Sequence, residues 1–287
     1  MTDLAGGPTI LRLLLGAQLR RLREAREISA AEAARAIRGS ESKISRIELG
    51  RTAVREIDIA DLLTLYGISE QAEREALLSL ASRANQPGWW HRYSDVLPPW
   101  SQSYIGLEGA AQSIRSFDAQ FIPALLQTDD YAAEVLALGD LPPDEAERLL
   151  LLHKERQRRF ESGGMCLWAI VDEMAIRRPV GQREVLRSQL EHLRRTCQDP
   201  RVTVQVTQFP VVSHAPGSFS ILRFTDDQMP DMVYVEHLTS AVYIDKRTEV
   251  DRYLLAMERL SVKSASPAAT EKIITAILAG LNSTPSN

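Results

Sequence analysis

Ser40, Glu41, Ser42, Lys43, Ser45 and Arg46 fall within seven residues of a chain of 287. Hydroxyls, a carboxylate, an ammonium and a guanidinium at this density can hold phosphate oxygens and meet the donor and acceptor edges of bases. Ile44 and Ile47, three apart, mark the side of the segment that turns inward, so the polar side chains share what is left of the surface. A helix this short and polar gains little by covering a core. DNA, whose major groove admits one α-helix, accounts for the outward face; an ordinary helical hairpin with a solvated charged face is the plain alternative.

Other residues could do chemistry of a different kind. Asp172-Glu173 and Glu236-His237 stand at the ends of expected strands, and His214 on a turn between two others. Hydrolysis needs a nucleophile and base within reach, or converging metal ligands. The chain has no Gly-x-Ser-x-Gly elbow, phosphate loop, His-Glu-x-x-His helix or paired cysteine spacing, and its histidines, at 91, 153, 192, 214 and 237, do not cluster. The expectation is a protein that is not an enzyme and holds no metal or cofactor.

The polar cluster needs two helices and a turn to position it. Ser29 followed by Glu32 forms a capping box, so one helix starts near Ala30, with Ala33, Ala34 and Ile37 on its inner face. Arg38-Gly39-Ser40 interrupts it, with Gly39 expected to take the positive φ of the reversal, and Ser40 caps the next helix. The run Ser42-Lys43-Ile44-Ser45-Arg46-Ile47-Glu48, followed by Gly50 and Arg51, resembles the recognition helix and exit turn of phage-repressor-type, Xre-like helix-turn-helix proteins. The resemblance implies that Glu41, Ser42 and Arg46 read bases while Ser40, Lys43 and Arg51 hold phosphates. It also implies a buried pair between Glu48 and Arg23. Ala30 departs from the family, which often carries glutamine there.

Composition agrees with a folded, water-exposed protein of two domains: 44% apolar and 25% charged residues. Two cysteines, Cys166 and Cys197, offer no disulfide framework, which points to a reducing, cytoplasmic setting. The apolar run at residues 10–15 is broken by Arg12 and too short for a signal or a membrane span. Net charge is −4, yet residues 12–55 hold eleven Lys+Arg against five Asp+Glu, a balance of +6, and the chain beyond them 23 against 32, or −9. Basic charge confined to one segment is what phosphate neutralisation requires.

The expected organisation is a flexible arm over residues 1–9, an all-α module of five helices over 10–84, an aromatic linker over 85–104, an α+β domain over 105–264 with a mainly antiparallel sheet, and a C-terminal helix and tail over 265–287. In the module, Leu15, Leu19 and Leu22 stripe a first helix, residues 57–66 form a fourth, and Ser69 caps a fifth. Asn85-Gln86-Pro87-Gly88 marks the boundary. Trp89, Trp90, Tyr93, Trp100 and Tyr104 either pack as a hinge or wall an effector pocket together with the sheet. Beyond them, helices are expected over 106–118, 129–138, 143–160, 182–196 and 249–260. Strands are expected over 167–172, 202–208, 218–224, 232–236 and 241–244, with turns at Asp226-Asp227 and Thr239-Ser240.

Gly88-Trp89-Trp90, Tyr104-Ile105-Gly106-Leu107-Glu108, Pro123-Ala124-Leu125-Leu126-Gln127-Thr128, Arg178-Pro179-Val180-Gly181 and Tyr234-Val235-Glu236 together resemble actinobacterial regulators in which a repressor-type module precedes a large antitoxin-like domain. That resemblance implies transcriptional regulation with a small acidic protein partner; a small-molecule effector is the alternative. One short helix reads only a few base pairs, so a homodimer on double-stranded DNA is expected.

Overall fold

The computed structural model describes residues 7–208, 217–225 and 229–283. These divide into two compact units: one holds the chain up to Ser94 with Ser101–Ala110, the other Asp95–Trp100 and most of the chain from Ala111 onward. No helix is long and apolar enough to cross a membrane among the described residues.

In the first unit α1 (Pro8–Ala25), α2 (Ala30–Ala36), α3 (Glu41–Glu48), α4 (Glu56–Leu65) and α5 (Gln71–Ala84) enclose a core of Leu15, Leu19, Ile37, Ile44, Ile47, Ile59, Leu62, Leu63 and Tyr66. Part of the expected arm is helix: Pro8 sits in the first turn of α1, where its missing N–H is no loss, and Thr9 and Ile10 are buried. Residues 1–6 of that arm lie outside the described residues. The reversal between α2 and α3 also differs from expectation. Arg38, not Gly39, takes the left-handed conformation, at φ 51°, while the Gly39 N–H reaches back to Ala34 O at 2.8 Å. Backbone closure thus puts the positive φ one residue earlier, at a strain of about 1 kcal/mol for a residue with a Cβ. Ser69 does not cap α5, whose N-cap is Glu70 without a side-chain bond.

A 3-10 turn at Trp89–Tyr93 and α6 (Pro99–Glu108) follow. The expected helix over 106–118 does not exist as one element. α6 ends before Gly109, and Ser113–Asp118 is strand β1, because sheet neighbours on both sides satisfy its backbone.

The second unit continues with α7 (Asp129–Ala137), α8 (Pro143–Ser162), β2 (Cys166–Asp172), α9 (Glu173–Arg177), α10 (Arg183–Thr196) and β3 (Val202–Thr207). After these come β4 (Phe219–Arg223), β5 (Met232–His237), β6 (Ser240–Ile244), α11 (Arg247–Lys263) and α12 (Pro267–Ser283). The six strands form one sheet in the order β3-β2-β1-β4-β5-β6. It is mixed, and the expectation of a mainly antiparallel sheet is corrected: β1 pairs β2 and β2 pairs β3 in parallel, while β1–β4, β4–β5 and β5–β6 are antiparallel. The reason is connectivity, since α7–α8 and α9–α10 are crossovers long enough to return each next strand in the same direction. The expected turn at Asp226-Asp227 and His214 lie outside the described residues. One face of the sheet packs Phe117, Ile170, Phe219, Ile221 and Val233 against Val250, Met257 and Leu260 of α11.

Candidate nucleic-acid interface

α3 is held from both ends and from beneath. At its start the Lys43 N–H donates to Ser40 Oγ at 3.2 Å, a cap of about 1 kcal/mol. At its end Gly50 adopts φ +62°, and the Arg51 N–H bonds Arg46 O at 2.8 Å, which stops the helix and sends Arg51 outward. Beneath it, α1 approaches so closely at Gly16 that a Cβ there would lie 2.5 Å from the carbonyl oxygens of both Ile47 and Glu48. A Cβ on Gly50 would meet the Leu13 backbone at 2.8 Å.

Two ion-pair systems fix the rotation of α3. Arg23 of α1 forks onto Glu48, with Nε to Oε1 at 2.6 Å and Nη2 to Oε2 at 3.0 Å, and its Nη1 donates to Ile28 O at 2.9 Å. The two side chains are 13% and 8% exposed, so the expected pair is present and largely buried. Its hydrogen bond to Glu48 is the main reason the Arg23 guanidinium sits above its ordinary pKa. Tyr66 lies in the same environment; burial, then the Glu48 charge, pushes its hydroxyl upward.

The second system was not foreseen. Asp58, 2% exposed, accepts from Lys43 Nζ at 2.7 Å and from Arg55, with Nη2 to Oδ1 at 2.7 Å and Nε to Oδ2 at 3.1 Å. Burial raises the Asp58 pKa, but the hydrogen bonds and charges of Arg55 and Lys43 outweigh it and hold the carboxyl below its usual range. Lys43 is therefore anchored to α4 in the free protein rather than reaching outward. In sequence, an Arg three residues before an Asp at a helix start reads as an ordinary surface pair. Nothing local reveals that the aspartate is buried. Asn85, read as part of a boundary, instead accepts from Val54 N at 3.1 Å and donates back to Val54 O, so it pins the exit loop to the end of α5.

With these groups fixed, Glu41, Ser42, Ser45 and Arg46 are exposed together on α3, and Arg51 is exposed just past it. Arg46 carries the fork that matches guanine O6 and N7; Ser42 can donate or accept; Glu41 accepts from an exocyclic amine. Ser40 remains exposed at the start of α3 while its oxygen serves as the cap.

The aromatic segment is used for packing. Trp90 and Tyr93 are buried, and Trp90 stands edge-on to Trp89 with ring centroids 5.9 Å apart. A Cβ on Gly106 would lie 2.1 Å from Thr9 Oγ1 and 2.8 Å from the Trp90 ring, so α6 meets the start of α1 where only glycine fits. Arg92 lies over the Tyr93 ring at 5.1 Å. Trp100 and Tyr104 are half-buried; the Trp100 carbonyl accepts from the Tyr243 hydroxyl. Two open clefts of about 340 and 420 Å³ lie on the first unit, one lined by α1 and α5 and the other by Ile28, Glu32, Arg35, Ala36 and Leu65. None of the five aromatics lines either.

Asp172 and Glu173 have structural partners. Asp172 caps α9 by accepting from Met174 N at 2.8 Å, and Glu173 pairs with Arg177 at 2.7 Å. Glu236 and His237 are exposed at the end of β5.

Comparison with known proteins agrees with this division. Residues 14–77 match a helix-turn-helix domain, and residues 101–276, more than half of the chain, match a domain of unknown function, DUF5753. Searches of curated proteins and of solved structures each returned no match. The helix-turn-helix match covers α3 and both of its ion-pair anchors, and marks the first unit as that of a DNA-binding regulator. The chain belongs to the DUF5753 family, here carried behind a helix-turn-helix domain.

Proposed function

We propose that this protein is a sequence-specific transcriptional regulator that binds double-stranded DNA as a homodimer. Glu41, Ser42 and Arg46 read base edges in the major groove; Ser40 and Arg51 hold phosphates. Lys43 joins them only by leaving Asp58, which keeps Arg55 as its partner. The observation that carries the reading is the exposed quartet Glu41, Ser42, Ser45 and Arg46 on a helix whose inner side is pinned by Arg23–Glu48 and Lys43–Asp58. A helix fixed in this way presents its polar face without loss of side-chain order elsewhere.

The second unit is proposed as the interaction domain. It binds a small acidic protein that modulates DNA binding, as the resemblance of the chain to antitoxin-like regulators implies. It performs no catalysis and takes no cofactor, and the protein acts in the cytoplasm where chromosomal DNA is accessible. The packing of Trp90 between Gly88 and Gly106 weighs against an effector pocket walled by the aromatics.

The test is selection of bound fragments from a random DNA pool by the full-length protein at a stated salt concentration. Recovery of an inverted repeat with half-sites about 34 Å apart is expected. Weak, salt-sensitive binding without a consensus would overturn sequence-specific recognition.

A further inference from the structure

The guanidinium of Arg55 has two edges, and the fold uses one of them. Its Nε and Nη2 donate to the two oxygens of Asp58, at 3.1 and 2.7 Å. A guanidinium carries its N–H donors in one plane, so those of Nη1 and the outer one of Nη2 form a second edge. Among the described residues Arg55 donates to no other group. Its side chain is 69% exposed although the carboxylate that holds it is 2% exposed. Asp61, the other acid whose charge reaches Arg55, forms no bond to it among the described residues. The hydrogen bond to Asp58, then the Asp58 charge, keeps the guanidinium above its ordinary pKa.

Asp58 also decides where the second edge lies. Its Oδ2 accepts from Arg55 Nε at 3.1 Å and from Lys43 Nζ at 2.7 Å, so guanidinium and ammonium share one oxygen. Lys43 follows the exposed Glu41 and Ser42 in the first turn of α3. Arg55 belongs to the next helix along the chain, yet its cation is brought to the start of the recognition helix. A surface ion pair ties down two side chains for little gain, but a buried carboxylate fixes the guanidinium plane before any ligand arrives. The side-chain entropy that a free arginine would lose on binding is then already lost. Two N–H donors in a fixed plane match two oxygens of a phosphate. We propose that Arg55 holds a DNA phosphate beside the start of α3 through its Nη1/Nη2 edge while its other edge stays on Asp58. It thereby keeps the buried charge compensated when Lys43 departs.

This inference rests on the proposed DNA binding but not on sequence recognition, so it is tested on duplex DNA of random sequence. The affinity of the full chain is measured against salt concentration. Cutting Arg55 alone would lock Lys43 onto a buried carboxylate, so the comparison is made where that charge is absent. D58N strands no cation, since Lys43 and Arg55 are both partly exposed and can turn to water. Lys43 is released equally in D58N and in D58N/R55A, and circular dichroism checks that both are folded. The double variant should show a salt slope lower by about one ion than D58N, with weaker binding throughout. R26A in the same background is the control for lost charge. A Cβ on Gly67 would lie 3.5 Å from the Arg26 guanidinium, which places that charge at the far end of α4, about 15 Å from Arg55. At 0.1 M salt this exceeds the screening length of about 10 Å, and the slope should not move. Equal slopes for D58N and D58N/R55A, or an equal drop for R26A, would overturn Arg55 as a phosphate contact and leave DNA binding standing. A wild-type chain without salt-dependent affinity for the duplex would overturn both together.

Discussion

The two units treat buried polar groups differently. In the first, the buried polar residues include the carboxylates Asp58 and Glu108, and α3 is fixed by Arg23–Glu48 and by Asp58 with Lys43 and Arg55. In the second, the most deeply buried polar residues among those described are Ser116, Gln127, His153, Gln189, Gln205, Thr207 and Thr270, and the carboxyl that burial does reach, Asp118, has a hydroxyl partner in Ser116 at 2.6 Å, with burial pushing its pKa up to about 7. Gln189 donates to Leu126 O at 2.7 Å and accepts from Thr128 N at 2.6 Å. Gln205 accepts from Trp168 Nε1 at 2.9 Å and donates to the carbonyls of Ser261 and Ala265. Ion pairs fix a rotation and can be exchanged for another ion, which suits a surface that must meet phosphates. Neutral amides joined to backbone carbonyls hold loops against a sheet with little dependence on salt.

The sharpest way to break this contrast is Glu48→Ala. It strands the Arg23 charge in a largely buried site and should lower unfolding free energy by about 3–5 kcal/mol, read by denaturant titration. The ranking of DNA sites should survive at temperatures where the variant is folded. Unchanged stability would remove the pair as the anchor of α3.

His153 is the one titratable member of the second set, and its behaviour tests whether that set is neutral. Burial, then the Arg156 charge, pushes its pKa down to about 4 despite nearby Asp129. Between that value and the ordinary one near 6.5, the unfolded chain binds a proton that the folded chain does not. The contribution of His153 to stability is therefore intact at neutral pH and is lost as pH drops through this window, by at most about 3 kcal/mol. His153→Leu should flatten that part of the stability profile; an identical profile in both proteins would refute it.

Gln189→Ala removes one donor and one acceptor partner at 0% exposure and should cost about 2–3 kcal/mol, independent of salt. A salt-dependent loss would erase the distinction between the units. On DNA, Arg46→Ala should cost about 1–3 kcal/mol at the preferred site and relax one base position; equal loss on every sequence would reassign Arg46 to a phosphate. The smallest effects separate Arg51 from Lys43. Arg51→Ala should reduce the salt slope of DNA binding by about one ion. Lys43→Ala should chiefly lower stability, since its ammonium lies on Asp58. A reduced slope for Lys43→Ala would mean that it changes partners on binding DNA.

Much of the first unit could be read directly because its determinants are local. The Ser29–Glu32 box, the Ser40 cap and the Ile44–Ile47 spacing act within a turn or two of helix, and each has the expected place. The Glu48–Arg23 pair, 25 residues apart in sequence, came only through resemblance. Asp58 escaped because burial is not a property of its neighbours in the chain. Residues 113–118 escaped for the same reason: six residues with Ile114 and Phe117 inward fit a helix end as well as a strand until β2 and β4 lie alongside.

By itself the sequence determined the helix-turn-helix, its polar face and the confinement of basic charge to the first 55 residues. It did so because capping, helical spacing and net charge are short-range or additive properties. Tertiary structure alone decided that Lys43 is held by a buried aspartate, that Trp90 packs against glycines instead of lining a cleft, and that the sheet is mixed. Each of these depends on contacts between segments far apart in the chain, where the free energy comes from burial and pairing that no local pattern encodes.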